Sequence, residues 1–452
     1  VWGRAIKSYQ PRSEDKNNTI NFLINQAATP NTSFNLVEYD VLDRTTKTID
    51  MEGNESVMSY TIANDPFGTL ALKTKSQVQQ NNTTLLINES FTDIKGQNIS
   101  TLNAGSIKTK FDYDAIGQLM AYTDDQNINT TYKYDVAGRK TQVTHPDSGT
   151  TKYQYDEASN LTKVQTANLE QQGTAIEYYY DINRISKIRF PDVAGVANVA
   201  DVTYQYGLPN IGNSSGRLIE QNDATGKQVF TYGVMGETTL IDRTIKAPNL
   251  PTRLFSTRFS YDSFNRIQNL TYPDGEIVTY SYNKGGNLNK MTTQLNGQDY
   301  EYVKQIDYDY FEQKTYMKYG NNTETFYNYS QELRRLQNLN VTTADGQSMF
   351  NNVYSFDKVG NITKITNEAS YNTTNYLGGT YNHNYAYDNL NRLSRATGSF
   401  SGHTKKNSVG FSEYNLDMEY NTTHGITQKK QFQTAQNGAP VYQNSYTNGY
   451  EY

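Results

Sequence analysis

A short phrase recurs along this chain every twenty to thirty residues: two aromatics one residue apart, an Asp, a two-residue gap, then Gly or Asn. A basic residue and an aliphatic often follow. The clearest copies are Phe111-Asp-Tyr113-Asp114-Ala-Ile-Gly117-Gln118-Leu119 and Tyr132-Lys-Tyr134-Asp135-Val-Ala-Gly138-Arg139. Others end in Tyr155-Asp156, Tyr261-Asp262 with Arg266, and Tyr387-Asp388 with Arg392. Tyr180-Asp181 and Tyr282 stand at the same place in shorter matches. A fixed period of this size specifies a repeat architecture, because each unit must bury its apolar face against its neighbours.

Within one unit the pattern is a β-hairpin. Tyr132 and Tyr134 point to one face of a strand and Lys133 to the other. Alternating aromatic and β-branched residues favour a half-buried strand over a helix. Asp135 to Gly138 supplies turn chemistry, since Asp bonds the backbone two residues on and Gly or Asn accepts positive φ at the last corner. A second strand follows, as in Leu161-Thr-Lys-Val164. Its apolar pair at i and i+3 requires either a bulge or residues facing opposite ways, and the sequence leaves both open.

The next turn is written in His145-Pro-Asp-Ser-Gly149 and Tyr272-Pro-Asp-Gly275, where Pro presets φ and Gly closes the corner. Its length varies, because loop closure grows costlier only slowly with added residues. Gln331–Leu339 has helical flavour but stands at the usual offset after Tyr327-Asn-Tyr329, and it reads as another repeat. The expected fold is therefore all-β, an array of antiparallel hairpins with few or no helices. Residues 111–452 form the regular array, and residues 1–110 are either degenerate repeats or a cap.

Composition narrows the function. The chain has 452 residues, a net charge of −5, no cysteine, 39 tyrosines and 17 phenylalanines. Mean hydropathy is low at −0.79, but evenly spaced aromatics argue against a disordered tail. Basic and acidic residues are interspersed, so no nucleic-acid footprint is present. Disulfides and cysteine-based zinc sites are excluded. No apolar run of 18 residues exists to span a membrane as a helix. The chain opens on Val1 without a signal-like stretch, so it reads as a segment whose export signal lies elsewhere.

These phrases resemble the tyrosine–aspartate (YD) repeats of the Rhs family, which includes bacterial polymorphic toxins, the C component of insecticidal toxin complexes, and the teneurin shell. The resemblance runs from about Tyr39 to Tyr420. It implies one long, spiralling sheet forming a hollow shell or barrel, which in this chain can be incomplete. It also implies a secreted or surface-exposed bacterial protein, with its own C-terminal cargo or toxin domain and a secretion apparatus as partners. Toxin members close the shell with an arginine- and tyrosine-rich lead-in to Asp-Pro-x-Gly. Here Asp65-Pro-Phe-Gly68 lacks that lead-in and falls where a repeat turn belongs.

The candidate chemistry is sparse. Gly212-Asn-Ser214-Ser-Gly216 matches a nucleophile elbow, but Gly216-Arg217-Leu218 is also the Gly-Arg-Leu half of a repeat. His145, His383, His403 and His424 lack mutual metal-ligand spacing and read as scattered surface residues. Asp124-Asp125-Gln-Asn127-Ile-Asn129 has alternating oxygen ligands but no calcium-loop glycine or terminal glutamate. Asn-x-Ser/Thr triplets such as those at Asn82 and Asn361 follow from composition alone. No catalytic, cofactor or metal residue is therefore assigned. The expected role is a structural shell, with a glycan-binding or adhesive surface built on exposed tyrosines as the alternative.

Overall fold

In the computed structural model, described for residues 3–9, 33–81, 85–192, 199–372, 374–405, 408–435, 440–441 and 444–451, the chain is all-β. Among these residues 34 strands belong to one sheet. Each strand pairs antiparallel with its neighbour in sequence, as Asn129–Tyr134 does with Lys140–His145 and that strand with Gly149–Tyr155. The ladder is open at its ends, where Lys7–Tyr9 pairs with Phe34–Tyr39 and Tyr446–Gly449 with Ile426–Ala435.

One helix is present among the described residues, the five-residue Ala167–Gln171, capped by the Thr166 hydroxyl accepting from the Leu169 amide. It fills the turn between Leu161–Gln165 and Ile176–Asp181, the part of the repeat where inserted residues cost least. Gln331–Leu339 forms no helix; a turn there leads into strand Leu336–Thr342.

The open question about the second strand resolves as a bulge. Gln154 faces Lys163 while Tyr155 faces Leu161, so Thr162 is the extra residue and Leu161 and Val164 share a face. The same shift precedes Tyr134, Tyr180, Tyr206, Tyr232, Tyr261, Tyr282 and Tyr387. Few apolar side chains are fully buried, Phe91 and Val278 among them. Most strand residues are half-buried, so stability comes from cross-strand contacts repeated along the sheet rather than from one thick core.

Contacts divide the chain into two compact units. One comprises Val1–Phe111, Thr123–Asn127 and Ile306–Tyr452; the other comprises Asp112–Tyr122 and Ile128–Gln305. The first holds corners at Asp40, Asp50, Asp65 and Asp93 built like those of the regular repeats.

Candidate functional site

The site that recurs is the corner between the two strands of each repeat. At Asp135 the backbone closes twice: the Asp135 amide donates to the Arg139 carbonyl (3.0 Å), and the Gly138 amide to the Asp135 carbonyl (3.0 Å). The carboxylate fills the interior of this turn. Its Oδ1 accepts from the amides of Ala137 (3.0 Å) and Arg139 (2.9 Å), and its Oδ2 from Arg139 Nε (2.7 Å). This is a type I turn followed by a residue in the left-handed region, a standard three-residue hairpin loop. Gly117 and Gly138 take that position at φ +94° and +80°; Ser159, Asn265 and Asn391 take it at +67°, +59° and +60°.

The same carboxylate bonding is seen at Asp114, Asp156, Asp262 and Asp388. At Asp135, Asp156, Asp262 and Asp388 it favours the ionised acid. Backbone and guanidinium donors of Arg139 keep Asp135 below the usual carboxylate range, and Arg266 does so for Asp262. Asn160 does the same for Asp156 through its side-chain amide. After Tyr282 the corner residue is Asn283, whose Oδ1 accepts from the Asn287 amide at 3.0 Å.

Asp181 departs from this pattern. It pairs directly with Arg184 across the two-residue turn Ile182-Asn183, both at positive φ. The gap is one residue too short for the carboxylate to reach round, so Asp181 holds no corner and meets only the Arg184 guanidinium at 3.4 Å.

Corners that end in Arg are tied to the next repeat by two side chains. Arg139 reaches forward, placing its guanidinium 5.0 Å from the Tyr155 ring centroid and donating to the Asp156 carbonyl at 2.7 Å. Arg392 does likewise, 4.6 Å over Tyr420 and 2.9 Å from the Asn421 carbonyl. Arg266 lies 4.2 Å over Tyr282.

The second tie runs backward. The hydroxyl of Tyr155 donates to the Lys140 carbonyl at 2.8 Å, and Lys140 is the residue opposite Tyr134, beside the bulge. Tyr134 bonds Leu119, Tyr180 bonds Leu161, Tyr261 bonds Thr238, Tyr282 bonds Ile267 and Tyr387 bonds Ile362, all at main-chain oxygens within 3.0 Å. Burial raises the hydroxyl pKa of Tyr134, Tyr155, Tyr180, Tyr261 and Tyr387, keeping these donors protonated. Tyr113 ends strand Ile107–Tyr113, directly before the Asp114 corner.

Neither tie can be read from the sequence, where the tyrosines register only as aromatic residues of a half-buried strand. Tyr155→Phe is expected to cost about 1 kcal/mol in urea unfolding, the usual worth of one hydrogen bond. Tyr132→Phe, whose hydroxyl has no protein partner among the described residues, is expected to be nearly neutral.

The remaining candidates find local roles. Ser214 donates to the Ile211 carbonyl (3.0 Å) inside an insertion that leads into strand Leu218–Asp223, where an elbow needs a helix. His145 Nδ1 accepts from the Asp147 amide, and His424 takes a left-handed corner at φ +72°. His383 is not a surface residue. It is half-buried among Tyr381, Tyr385 and Tyr414, with Nδ1 3.0 Å from the Tyr414 hydroxyl, and burial lowers its pKa. The His403 side chain and Asn82 lie outside the described residues. Asn361 donates to the Asp357 carboxylate (2.9 Å) within its corner. Asp124 and Asp125 accept from separate amides, Gln126 and Lys108. Among the described residues no group of three or more His, Asp or Glu side chains is placed to hold a metal, and no helix is long and apolar enough to cross a membrane. Asp65 closes an ordinary corner, its Oδ1 accepting from Phe67 and Thr69.

The RHS repeat family model matches residues 113–150 and 261–298. The chain carries the repeats of the Rhs, or YD-repeat, family. This Rhs chain is 28% identical over 158 residues to toxin subunit YenC1 of Yersinia entomophaga, covering 33% of the chain and 16% of that subunit. The crystal structure of TcdB2-TccC3 matches 99% of the Rhs chain with a TM-score of 0.80 at 18% identity, using 24% of its own length. A Photorhabdus luminescens Tc holotoxin pore gives 0.77 over 92% of the chain and 22% of its own, also at 18% identity. At this identity the likeness is one of fold. The Rhs chain spans between about a sixth and a quarter of the length of these proteins.

Proposed function

We propose that this Rhs chain is a non-catalytic stretch of wall in an exported bacterial protein, enclosing or carrying a C-terminal cargo or toxin segment. The observation that carries this reading is where the repeat spends its polar groups. Corner aspartates, arginines and tyrosine hydroxyls are bonded to backbone and to each other, an arrangement that extends a sheet and commits these groups to structure. The fold shared with TcdB2-TccC3 and the relation to a toxin subunit support the cargo role, a secreted or cell-surface location, and a secretion apparatus as partner. Residues 1–110 are read as degenerate repeats of the same wall rather than a separate cap, since their corners have the same construction. The glycan-binding alternative loses its ground at Tyr155 and Tyr282, whose rings lie under guanidinium groups and whose hydroxyls are committed.

The test is limited proteolysis of the protein expressed with its natural C-terminal sequence. A C-terminal fragment that survives, and becomes degraded once mild denaturant opens the wall, is the expected result. Equal digestion of the fragment with and without the Rhs wall overturns the reading.

A further inference from the structure

Four neighbouring strands of the first unit carry a hollow of about 420 Å³ on one face. They are Thr380–Tyr387, Leu393–Lys405, Ser408–Tyr420 and Ile426–Ala435. Register sets the lining in two rows across these strands. One row runs through Asn382, Ser399 and Glu413; the next runs through Asn384, Thr397, Asn415 and Phe432. Residues two apart on a strand share a face, so the rows lie side by side. Together they span about 7 Å by 14 Å, the footprint of a small ligand.

At several other places in the sheet, polar side chains that meet across strands bond one another. Thr101 bonds Thr109 (2.6 Å), Asn338 bonds Asn351 (2.7 Å) and Thr279 bonds Asn269 (2.8 Å). In the hollow they do not. The side chains of Asn384, Thr397, Ser399 and Glu413 have no protein partner among the described residues. Asn382 has its side-chain oxygen buried without a partner, so no bond of the fold fixes that amide. Free donors and acceptors converging on one concavity are what a polar ligand requires.

The floor of the hollow is held from behind. On the opposite face of the same strands, His383 packs among the rings of Tyr381, Tyr385 and Tyr414. Gly398, between Thr397 and Ser399, lets two of these rings lie against the strand. A Cβ there would stand 2.5 Å from His383 Nδ1 and 2.3 Å from the Tyr414 ring. A site backed in this way is formed before its ligand arrives, which spares ordering on binding.

Its chemistry is mixed and close to neutral. Amides, hydroxyls and one carboxylate offer donors and acceptors together. Arg395 at the edge is engaged, donating from Nε to Asn415 Oδ1 at 3.1 Å and lying 3.6 Å from the Asp417 carboxylate. Lys430 stands in that same flanking row, so two positive charges balance Glu413 and Asp417. A phosphate, a sulfate or a nucleic-acid strand meets no excess of positive charge here. Phe432 adds an apolar ring that is 48% exposed, with Lys430 Nζ 5.9 Å from its centroid, near the limit of such a contact. An open aromatic face beside amides, hydroxyls and a carboxylate suits a sugar. Sugar rings carry apolar C–H faces, and their hydroxyls both donate and accept.

We propose that this hollow binds a neutral saccharide of one or two rings. Phe432 stacks on a sugar face and Glu413 accepts from neighbouring hydroxyls. Asn382, Asn384, Thr397 and Ser399 bond the remaining hydroxyls. The site uses none of the repeat tyrosines and does not depend on what the wall encloses.

Titration of the whole chain with maltose, cellobiose, lactose and N,N′-diacetylchitobiose tests this, read by ligand-observed NMR and calorimetry. Glucuronic acid is the charged control and glycerol the small-polyol control. At least one disaccharide is expected to bind saturably, and neither control is. Phe432→Ala and Glu413→Gln are each expected to weaken that binding about tenfold. Asn384→Arg, which fills the hollow from an exposed position, is expected to abolish it. Phe255→Ala removes an exposed ring of the second unit and is expected to leave binding unchanged. Circular dichroism checks the fold of each variant, and Asn384→Arg serves if Phe432→Ala unfolds. Failure of all the disaccharides to bind overturns the proposal. So does binding undiminished by Phe432→Ala and Asn384→Arg, or equal binding of glucuronic acid.

Discussion

Asp388→Ala is expected to lower the unfolding free energy by about 2 kcal/mol, the scale of hydrogen bonds to a charged, partly buried group. The carboxylate accepts from the amides of Leu390 and Arg392 (both 2.9 Å) and from Arg392 Nε (2.7 Å). Its removal also frees the guanidinium that reaches Tyr420 and the Asn421 carbonyl. Asp388→Asn is expected to cost roughly half as much. An asparagine keeps the Oδ1 acceptor, and Asn421 already does this work natively, accepting from Gly425 (2.7 Å) and Thr423 (3.1 Å).

Acid provides a second handle on the same residue. Burial opposes the Asp388 charge, but the Arg392 and Leu390 donors outweigh it, so the folded pKa lies below the usual value. A carboxyl of this kind contributes fully above the pH where the unfolded group titrates, about 4, and loses that contribution as pH falls through the folded value. The gap between wild type and Asp388→Ala is therefore expected to be widest near neutrality and to narrow below about pH 4. Urea midpoints measured across that range check it, and a gap independent of pH would refute the charge-based account.

Gly226→Ala is expected to do more damage, about 3 kcal/mol or more, because backbone must move. Gly226 has φ +139°, and an added Cβ would stand 2.0 Å from the Thr244 carbonyl oxygen. Gly226 faces Asp223 on one side and Ile245 on the other, so the clash falls inside a three-strand ladder. In an array coupled through nearest neighbours, a fault there is expected to lower the midpoint and broaden the transition, as separate stretches begin to unfold apart. Gly275→Ala is the matched control. It shares positive φ (+92°) but has nothing within 4 Å, so only the strain of about 1 kcal/mol remains. Equal effects at the two sites would show that conformational strain, not the close approach, governs Gly226.

The hairpins were legible because their signals are local: alternation for the strands, Asp and Gly for the corner. What lay beyond sequence reading was non-local. The acceptor for Tyr155 is a main-chain oxygen fifteen residues away, exposed to it only because a bulge shifts the register beside Lys140. No residue type announces that oxygen. Arg139 carries a signal in its recurrence after the corner, yet its second partner sits in the following repeat. Asp181 misled because the phrase matches while the spacing to a left-handed residue is one short. His383 misled because lack of metal-ligand spacing says nothing about burial, and the aromatics enclosing it come partly from a neighbouring strand.

The backward bond from each tyrosine has an evolutionary reach. Its acceptor is a peptide oxygen, which every amino acid supplies, so adjoining modules need no matched side chain in order to couple. Copies of unlike wording can then be swapped, duplicated or lost by recombination with the seam intact. Steps of 21, 26 and 31 residues between motif aromatics are all compatible with such a seam.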